Sequence, residues 1–297
     1  MTDVPNVLNQ RPDDPRLLLS EPFRAVHFVF GLFHPDVPPL SGRALVGSLA
    51  ALGFGEEASR GIVLRLRRAG FLESRRSGRK ASYAMSLRSL ALIDEIARRS
   101  TQEPPPWDGA FRTLLVRIPV TDRAFREQLR RHAAYAGFAN PLPGLLIAPY
   151  ESSMLLLEPL LAGRAPGADA PRPADVTVGR LAVDRDDAVR LAREGWDLET
   201  LASALRHETK RMAAAAQAAE TDPPDSGAAA LQLLWRCIGP FFGLLSASLS
   251  LPAELLPPDW PMDAARDAFF RLAAVVAEPA RAFVTDLDGD GIAGHGR

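Results

Sequence analysis

Cysteine is nearly missing from this chain. A single thiol, Cys237, stands in 297 residues, so no internal disulfide can form and a reducing cytoplasm is the expected setting. Its neighbours Trp235, Ile238 and Phe241 are apolar and only Arg236 is basic, which predicts a buried, unreactive thiol. A phosphate loop, a dinucleotide fingerprint and a nucleophile elbow are all absent. The opening MTDVPNVLNQRPDDPR places no apolar core behind a basic start, so no secretory signal is read. The most apolar stretch, 231–251, is interrupted by Gln232, Arg236, Gly239-Pro240 and several serines. Two short buried helical pieces around a proline break are expected there, not a membrane span.

Metal chemistry is excluded in the same way. His207-Glu208 begins like a zinc-protease motif, but HETKR lacks the second histidine four positions on. The tail DLDGDGIAGHGR starts like a calcium loop at Asp286, Asp288, Asp290 and Gly291, yet Arg297 stands where a bidentate Glu is required. An acidic tail without structure is the expectation. No catalytic residue, metal site or cofactor is assigned.

What is present is a localised basic block. The chain is 47% hydrophobic and 24% charged with net charge −1, long enough for two or three domains. Residues 56–88 nevertheless hold nine Arg and Lys against three Glu, a net of +6, leaving about −7 for the rest. Such a block is the footprint of phosphate-backbone contact. Its surroundings read as a winged helix-turn-helix. SGRALVGSLAALGF is a supporting helix entering a Gly-Phe-Gly turn, EEASRGIVLRLRRAGFL is a second helix, and ESRRSGRKASYAMSL is a two-stranded wing turning at Ser77-Gly78. Ala58, Ile62 and Leu66 share one face of the second helix, with Val63 and Ala69 beside them, while Arg60, Arg67 and Arg68 project elsewhere.

The helix from Glu57 to Arg68 is therefore expected in a major groove of double-stranded DNA, with Ser59 and Arg60 nearest base edges and Arg67 and Arg65 beside them. Arg65 is also compatible with an inward position. The wing residues Arg75, Arg76, Arg79 and Lys80 would grip phosphates or the minor groove, and Arg43 would add a phosphate contact. Gly61 inside the helix costs about 1 kcal/mol relative to Ala, which points either to close approach of backbone to DNA or to tolerance.

The fold class expected is α+β multidomain: a flexible arm at 1–20, the winged helix at 21–99, and a linker at 100–106 whose three prolines cannot continue a helix. A ferredoxin-like domain at 107–183 follows from the order strand, helix, strand, helix, strand. Within it FRTLLVRIP is the first strand, and Asp122 opens a helix with Phe125, Leu129 and Ala133 on one face and Gly137 at its end. A helical domain spans 184–285 and a tail 286–297. The connector LPAELLPPDWP is ordered if Leu255, Leu256 and Trp260 are buried.

Five segments carry a family resemblance: EEASRGIVLRLRRAGFLESRRSGRKASYAMS, WDGAFRTLLVRIP, REQLRRHAAYAGFANPLPGLLIAP, GWDLETL and LPAELLPPDWP. From about residue 40 to 284 the chain resembles the PaaX family of bacterial repressors, named for control of phenylacetic acid degradation. The resemblance implies an N-terminal winged helix and a central domain similar to the small ferredoxin-like nuclease subunit of CRISPR adaptation. It further implies a helical C-terminal domain, homodimerisation, and release from DNA by a small effector of the acyl-CoA or aromatic acid class. Arg60 and Arg65 match the family's two recognition-helix arginines, whereas Gly61 and Ile62 stand where small polar or Ala residues are usual. A ligand-responsive repressor is the reading reached. Its rivals are a constitutive DNA-binding factor and a DNA-targeted nuclease; against the second, the first strand offers Arg117 where an acidic metal ligand is needed.

Overall fold

A computed structural model describes residues 20–77, 80–87, 89–91, 93–94, 97, 104–118, 122–151, 153–154, 157, 161, 175–248 and 251–289. In chain order its elements are α1 (Glu21–Gly31), β1 (Leu40–Ser41), α2 (Gly42–Leu49), α3 (Glu56–Arg68), β2 (Leu72–Ser77) and β3 (Lys80–Met85). Then come β4 (Ala110–Val116), α4 (Arg123–Tyr135), β5 (Ala139–Leu142), β6 (Leu145–Ala148) and β7 (Val176–Ala182). The last are α5 (Arg185–Gly195), α6 (Leu198–Thr221), α7 (Gly227–Ser248) and α8 (Met262–Gly289). They form two compact units, one of residues 1–101, 207–242 and 262–297, the other of 102–206 and 243–261. Two small sheets among many helices make the chain a multidomain α+β protein. Residues 184–285, expected as one helical domain, are shared out between the two units.

In the first unit α1 starts where Ser20 Oγ accepts the Phe23 amide at 3.4 Å, and it buries side chains all round, among them Phe23, Val26, Phe28, Val29 and Phe30. A helix apolar on every side must be covered by protein on every side. Helix α2 is capped by Ser41, whose Oγ accepts the Ala44 amide at 3.1 Å. The chain then reverses through Gly53 (φ 100°) and Gly55 (φ 67°), left-handed backbone that a side chain would strain, and enters α3. Strands β2 and β3 pair antiparallel from Leu72↔Met85 to Ser77↔Lys80, and β1 joins on the far side of β3. The expected turn residue Gly78 lies outside the described residues.

Distant segments complete this unit. Phe28 of α1 packs on Trp235 of α7 with ring centroids 5.2 Å apart. Gln232 donates to the Ala51 carbonyl at 2.7 Å, and Arg281 of α8 to the Leu32 carbonyl at 2.9 Å. One correction concerns 286–297, expected as a tail. Helix α8 runs on to Gly289, because Asp288 Oδ1 accepts the Ser41 amide at the start of α2, at 2.6 Å.

A second correction concerns α7, which is a single helix with Pro240 inside it instead of two pieces around a break. Proline lacks the amide that would bond the carbonyl four residues back. Arg211 of α6 donates instead to the carbonyls of Arg236 at 2.7 Å and Cys237 at 3.5 Å, while Arg24 of α1 donates to Gly239 at 3.3 Å. The Glu208 carboxylate, 2.6 Å from Arg211, holds that guanidinium in place. Cys237 is buried as expected, and burial pushes its thiol pKa up.

In the second unit β4 lies between β6 and β7, giving the order β5-β6-β4-β7 with every neighbouring pair antiparallel. Alternation along the strands separates two cores. Leu114, Leu146 and Ala148 face Phe125, Leu129 and Ala133 of α4, together with Leu157. Phe111 and Ile147 meet Ala188 and Leu191 of α5 with Leu251 and Leu255 of the proline-rich connector. Leu256, Trp260, Trp107 and Trp196 are partly buried against the same cluster. Asp122 caps α4 by accepting the Phe125 amide at 3.3 Å, and Gly137 ends it at φ 85°.

Two measurements check this packing. A Cβ on Gly227 would fall 2.6 Å from the Phe283 Cβ and 2.7 Å from the Pro279 carbonyl, backbone that cannot yield cheaply. Gly227→Ala is expected to destabilise the protein by about 1–3 kcal/mol in denaturant unfolding, against the gain that Ala brings to an open helix. The second is pH. His27 stacks on Phe23 at 3.8 Å, donates through Nδ1 to the Phe23 carbonyl at 2.9 Å, and has its pKa lowered to about 4, chiefly by burial. Between pH 6.5 and 4 the unfolded chain takes up a proton that the folded one refuses. Stability should therefore fall by about 3 kcal/mol as the pH drops through that window. His27→Phe should flatten this acid slope, and an unchanged slope would remove His27 as its source.

Candidate nucleic-acid interface

Helix α3 has one inward and one open side, set by how it begins. Its capping position is Gly55, which has no side chain to give, and Ser59 one turn later donates its hydroxyl back to the Gly55 carbonyl at 2.7 Å. Ser59 is fully buried, beside Ile62, Val63 and Leu66. This corrects the expectation that Ser59 lies nearest base edges, and Ala58, expected inside, is exposed. The helix is turned by about one residue from the face drawn on periodicity alone, and Ser59 can enter the core because its hydroxyl is satisfied on the Gly55 carbonyl.

The open side carries Glu57, Arg60, Leu64, Arg67 and Arg68. Arg60 forms an ion pair with Glu56, both side chains remaining largely exposed. Arg65 is half-buried, and its guanidinium lies 3.9 Å from where a Cβ on Gly61 would be. Arg67 and Arg68 occupy the last turn, where positive charge suits the carbonyl end of the helix. Arg43 is exposed in the first turn of α2, and Arg75 is exposed on β2. Arg76 and Lys80 belong to the backbone of β2 and β3, but their side chains, and Arg79 entirely, lie outside the described residues. The structure thus keeps Arg60, Arg67 and Arg75 outward, places Arg65 on a flank, and withdraws Ser59. Leu64, 37% exposed, was missed; its position four residues after Arg60 and seven after Glu57 was the available signal.

The other motifs weighed in the sequence are occupied by structural work. Glu208 holds Arg211, and Asp288 holds the start of α2. Among the described residues no three His, Cys, Asp or Glu gather as a metal site, and no helix is long and apolar enough to cross a membrane.

A helix with a basic open side, entered by a tight glycine turn and followed by an antiparallel hairpin, defines a surface suited to a polyanion. Comparison with known proteins gives the lineage. Residues 25–89 match the family described as PaaX-like protein, 104–159 the PaaX protein central Cas2-like domain, and 196–286 the PaaX-like protein C-terminal domain. The chain belongs to the PaaX family, a family of regulators, not of enzymes. It is 26% identical over 274 residues to the transcriptional repressor PaaX of Escherichia coli K12, covering 89% of this chain and 84% of that protein. A solved structure, the uncharacterized protein Rv0674 from Mycobacterium tuberculosis, shares the fold with a TM-score of 0.58 at 24% identity, covering 88% of this chain and 97% of that one.

The site geometry makes one prediction in the absence of any partner. Nothing but the Arg65 guanidinium lies within 4 Å of a Cβ built on Gly61. Gly61→Ala should therefore stabilise the isolated protein by about 1 kcal/mol, read as a raised unfolding midpoint.

Proposed function

We propose that the protein is a DNA-binding transcriptional repressor of the PaaX type, acting as a homodimer in the cytoplasm and released from its operator by a small effector. The observation that carries the reading is the open side of α3, where Arg60, Arg67 and Arg68 stand outward beside the basic hairpin of a chain otherwise acidic. In this reading α2, α3 and the β2–β3 hairpin form a winged helix-turn-helix, and α3 enters the major groove. Arg60 reads base edges, while Arg43, Arg75, Arg76, Arg79 and Lys80 contact phosphates. Two copies would engage two half-sites. The order β5-β6-β4-β7 with α4 packed on one face supports reading 107–183 as a ferredoxin-like domain.

The effector half of the proposal rests on the family and on the large part of the chain that lies beyond the hairpin. An acyl-CoA thioester or an aromatic acid would have to bind the DNA-free geometry more tightly than the bound one to release the operator.

Competition between specific and random duplexes tests the DNA reading. Arg60→Ala should cut the discrimination ratio by about tenfold or more, as expected for a lost bidentate base contact. Joint replacement of Arg79 and Lys80 by Ala should weaken both duplexes alike and reduce the salt slope by up to about 2. An unchanged ratio for Arg60→Ala removes it from base readout. Titration calorimetry with acyl-CoA thioesters and aromatic acids, finding no binder that releases DNA, would leave a constitutive repressor.

A further inference from the structure

The line of α3 directly opposite its buried face is not made of arginines alone. Residues directly opposite the buried Ser59, Ile62, Val63 and Leu66 fall at Glu57, Gly61, Leu64 and Arg68, spaced i, i+4, i+7 and i+11. Arg60 and Arg67 sit on one flank of that line and Arg65 on the other. At its middle are a residue with no side chain and an aliphatic one that stays 37% exposed. Within the protein neither has a reason: Gly61 has conventional helical backbone, with no close neighbour to forbid a Cβ. Leaving glycine there forgoes stability that alanine would supply, and a leucine left more than a third open to water keeps part of its apolar surface uncovered.

Both choices make sense against a partner that comes close to the helix and presents a small apolar group. The charge around the pair selects the partner. Arg60, Arg65, Arg67 and Arg68 surround it, within a segment whose net charge is +6. A polyanion is the complement, and in the major groove of DNA the one apolar feature of the base edges is the 5-methyl group of thymine.

We infer that Gly61 and Leu64 form a methyl-reading notch on α3, with Gly61 letting the helix backbone approach and Leu64 packing on a thymine 5-methyl in each half-site. The inference rests on the proposed DNA-binding role of α3 and adds a specificity determinant to it. Arg60 then supplies hydrogen-bond readout from the flank, and the notch distinguishes thymine from cytosine at a neighbouring position.

The test uses the full-length chain. Duplexes are selected from a randomised pool, and each thymine of the enriched sequence is replaced in turn by uracil. This change keeps every hydrogen-bonding group and removes one methyl. At one thymine per half-site the wild type should lose about fourfold in affinity, the worth of one buried methyl. Leu64→Ala should bind the thymine and uracil duplexes equally at that same position. Thermal unfolding should show this exposed-site variant folded. Gly61→Ala, more stable than wild type, should bind the selected duplex more weakly. A selected sequence in which no uracil replacement separates wild type from Leu64→Ala overturns the notch and leaves the DNA reading intact. Equal binding of the selected duplex by Gly61→Ala and wild type overturns the close approach. Failure to enrich any sequence overturns the DNA-binding reading itself, and the notch with it.

Discussion

The presentation of α3 depends on a core that the first hundred residues cannot close. Helix α1 is buried on all sides, and the cover it needs comes from the far end of the chain: Trp235 against Phe28, Arg281 on the Leu32 carbonyl, and Leu287 against α2. Close approach is built into the sequence of α2, since a Cβ at Gly47 would stand 3.1 Å from Leu287 Cδ1. The contact is also polar. Asp288 accepts the Ser41 amide, one of the orphan donors that every helix start leaves, so the last turn of α8 and the first turn of α2 satisfy each other. Because α2 leads directly into the glycine turn before α3, the placement of α3 depends on a residue 247 positions after Ser41.

The same satisfaction of backbone groups explains how α7 tolerates Pro240. An interior proline costs about 3 kcal/mol or more when its freed carbonyl stays empty. Here the carbonyl of Arg236 is filled at 2.7 Å by Arg211, whose geometry is fixed by Glu208. An ionised donor to a carbonyl contributes more than a neutral amide does. The helix therefore continues through the proline, and a buried cysteine and tryptophan keep their places on it.

The local part of this architecture was legible in the sequence. Turn chemistry at Gly53 and Gly55, the cap at Asp122, the stop at Gly137 and the hairpin from Leu72 to Met85 are all short-range features written in residue type. The exposure of Arg60, Arg67 and Arg75 was legible for the same reason. What could not be read were facts settled by tertiary partners. The division of 184–285 between two units follows from which apolar faces α1 and the central sheet leave open, and no periodicity encodes that. The continuity of α7 depended on an arginine 29 residues before Pro240. Ser59 misled because its hydroxyl marks it as polar until its bond to Gly55 is known, and Leu64 was passed over because leucine on a helix reads as core.

Magnitudes decide which polar groups of α3 remain available to a partner. The Ser59 hydroxyl is buried with its bond to Gly55, and turning it outward would break that bond and open the core beside Ile62 and Leu66, a cost of about 1–3 kcal/mol. The Arg60–Glu56 pair is 63% and 66% exposed, and such a pair contributes only about 0.3–0.5 kcal/mol. Arg60 can exchange its carboxylate for a phosphate or a guanine edge almost without loss, whereas Ser59 cannot turn outward. The pair also has a use while it lasts. A carboxylate one turn before the arginine keeps the side chain extended along the helix, and it repels any phosphate that fails to offer a better acceptor. If α3 reads DNA as proposed, discrimination at this helix would arise from an exchange of acceptors at Arg60, superimposed on a buried inner face.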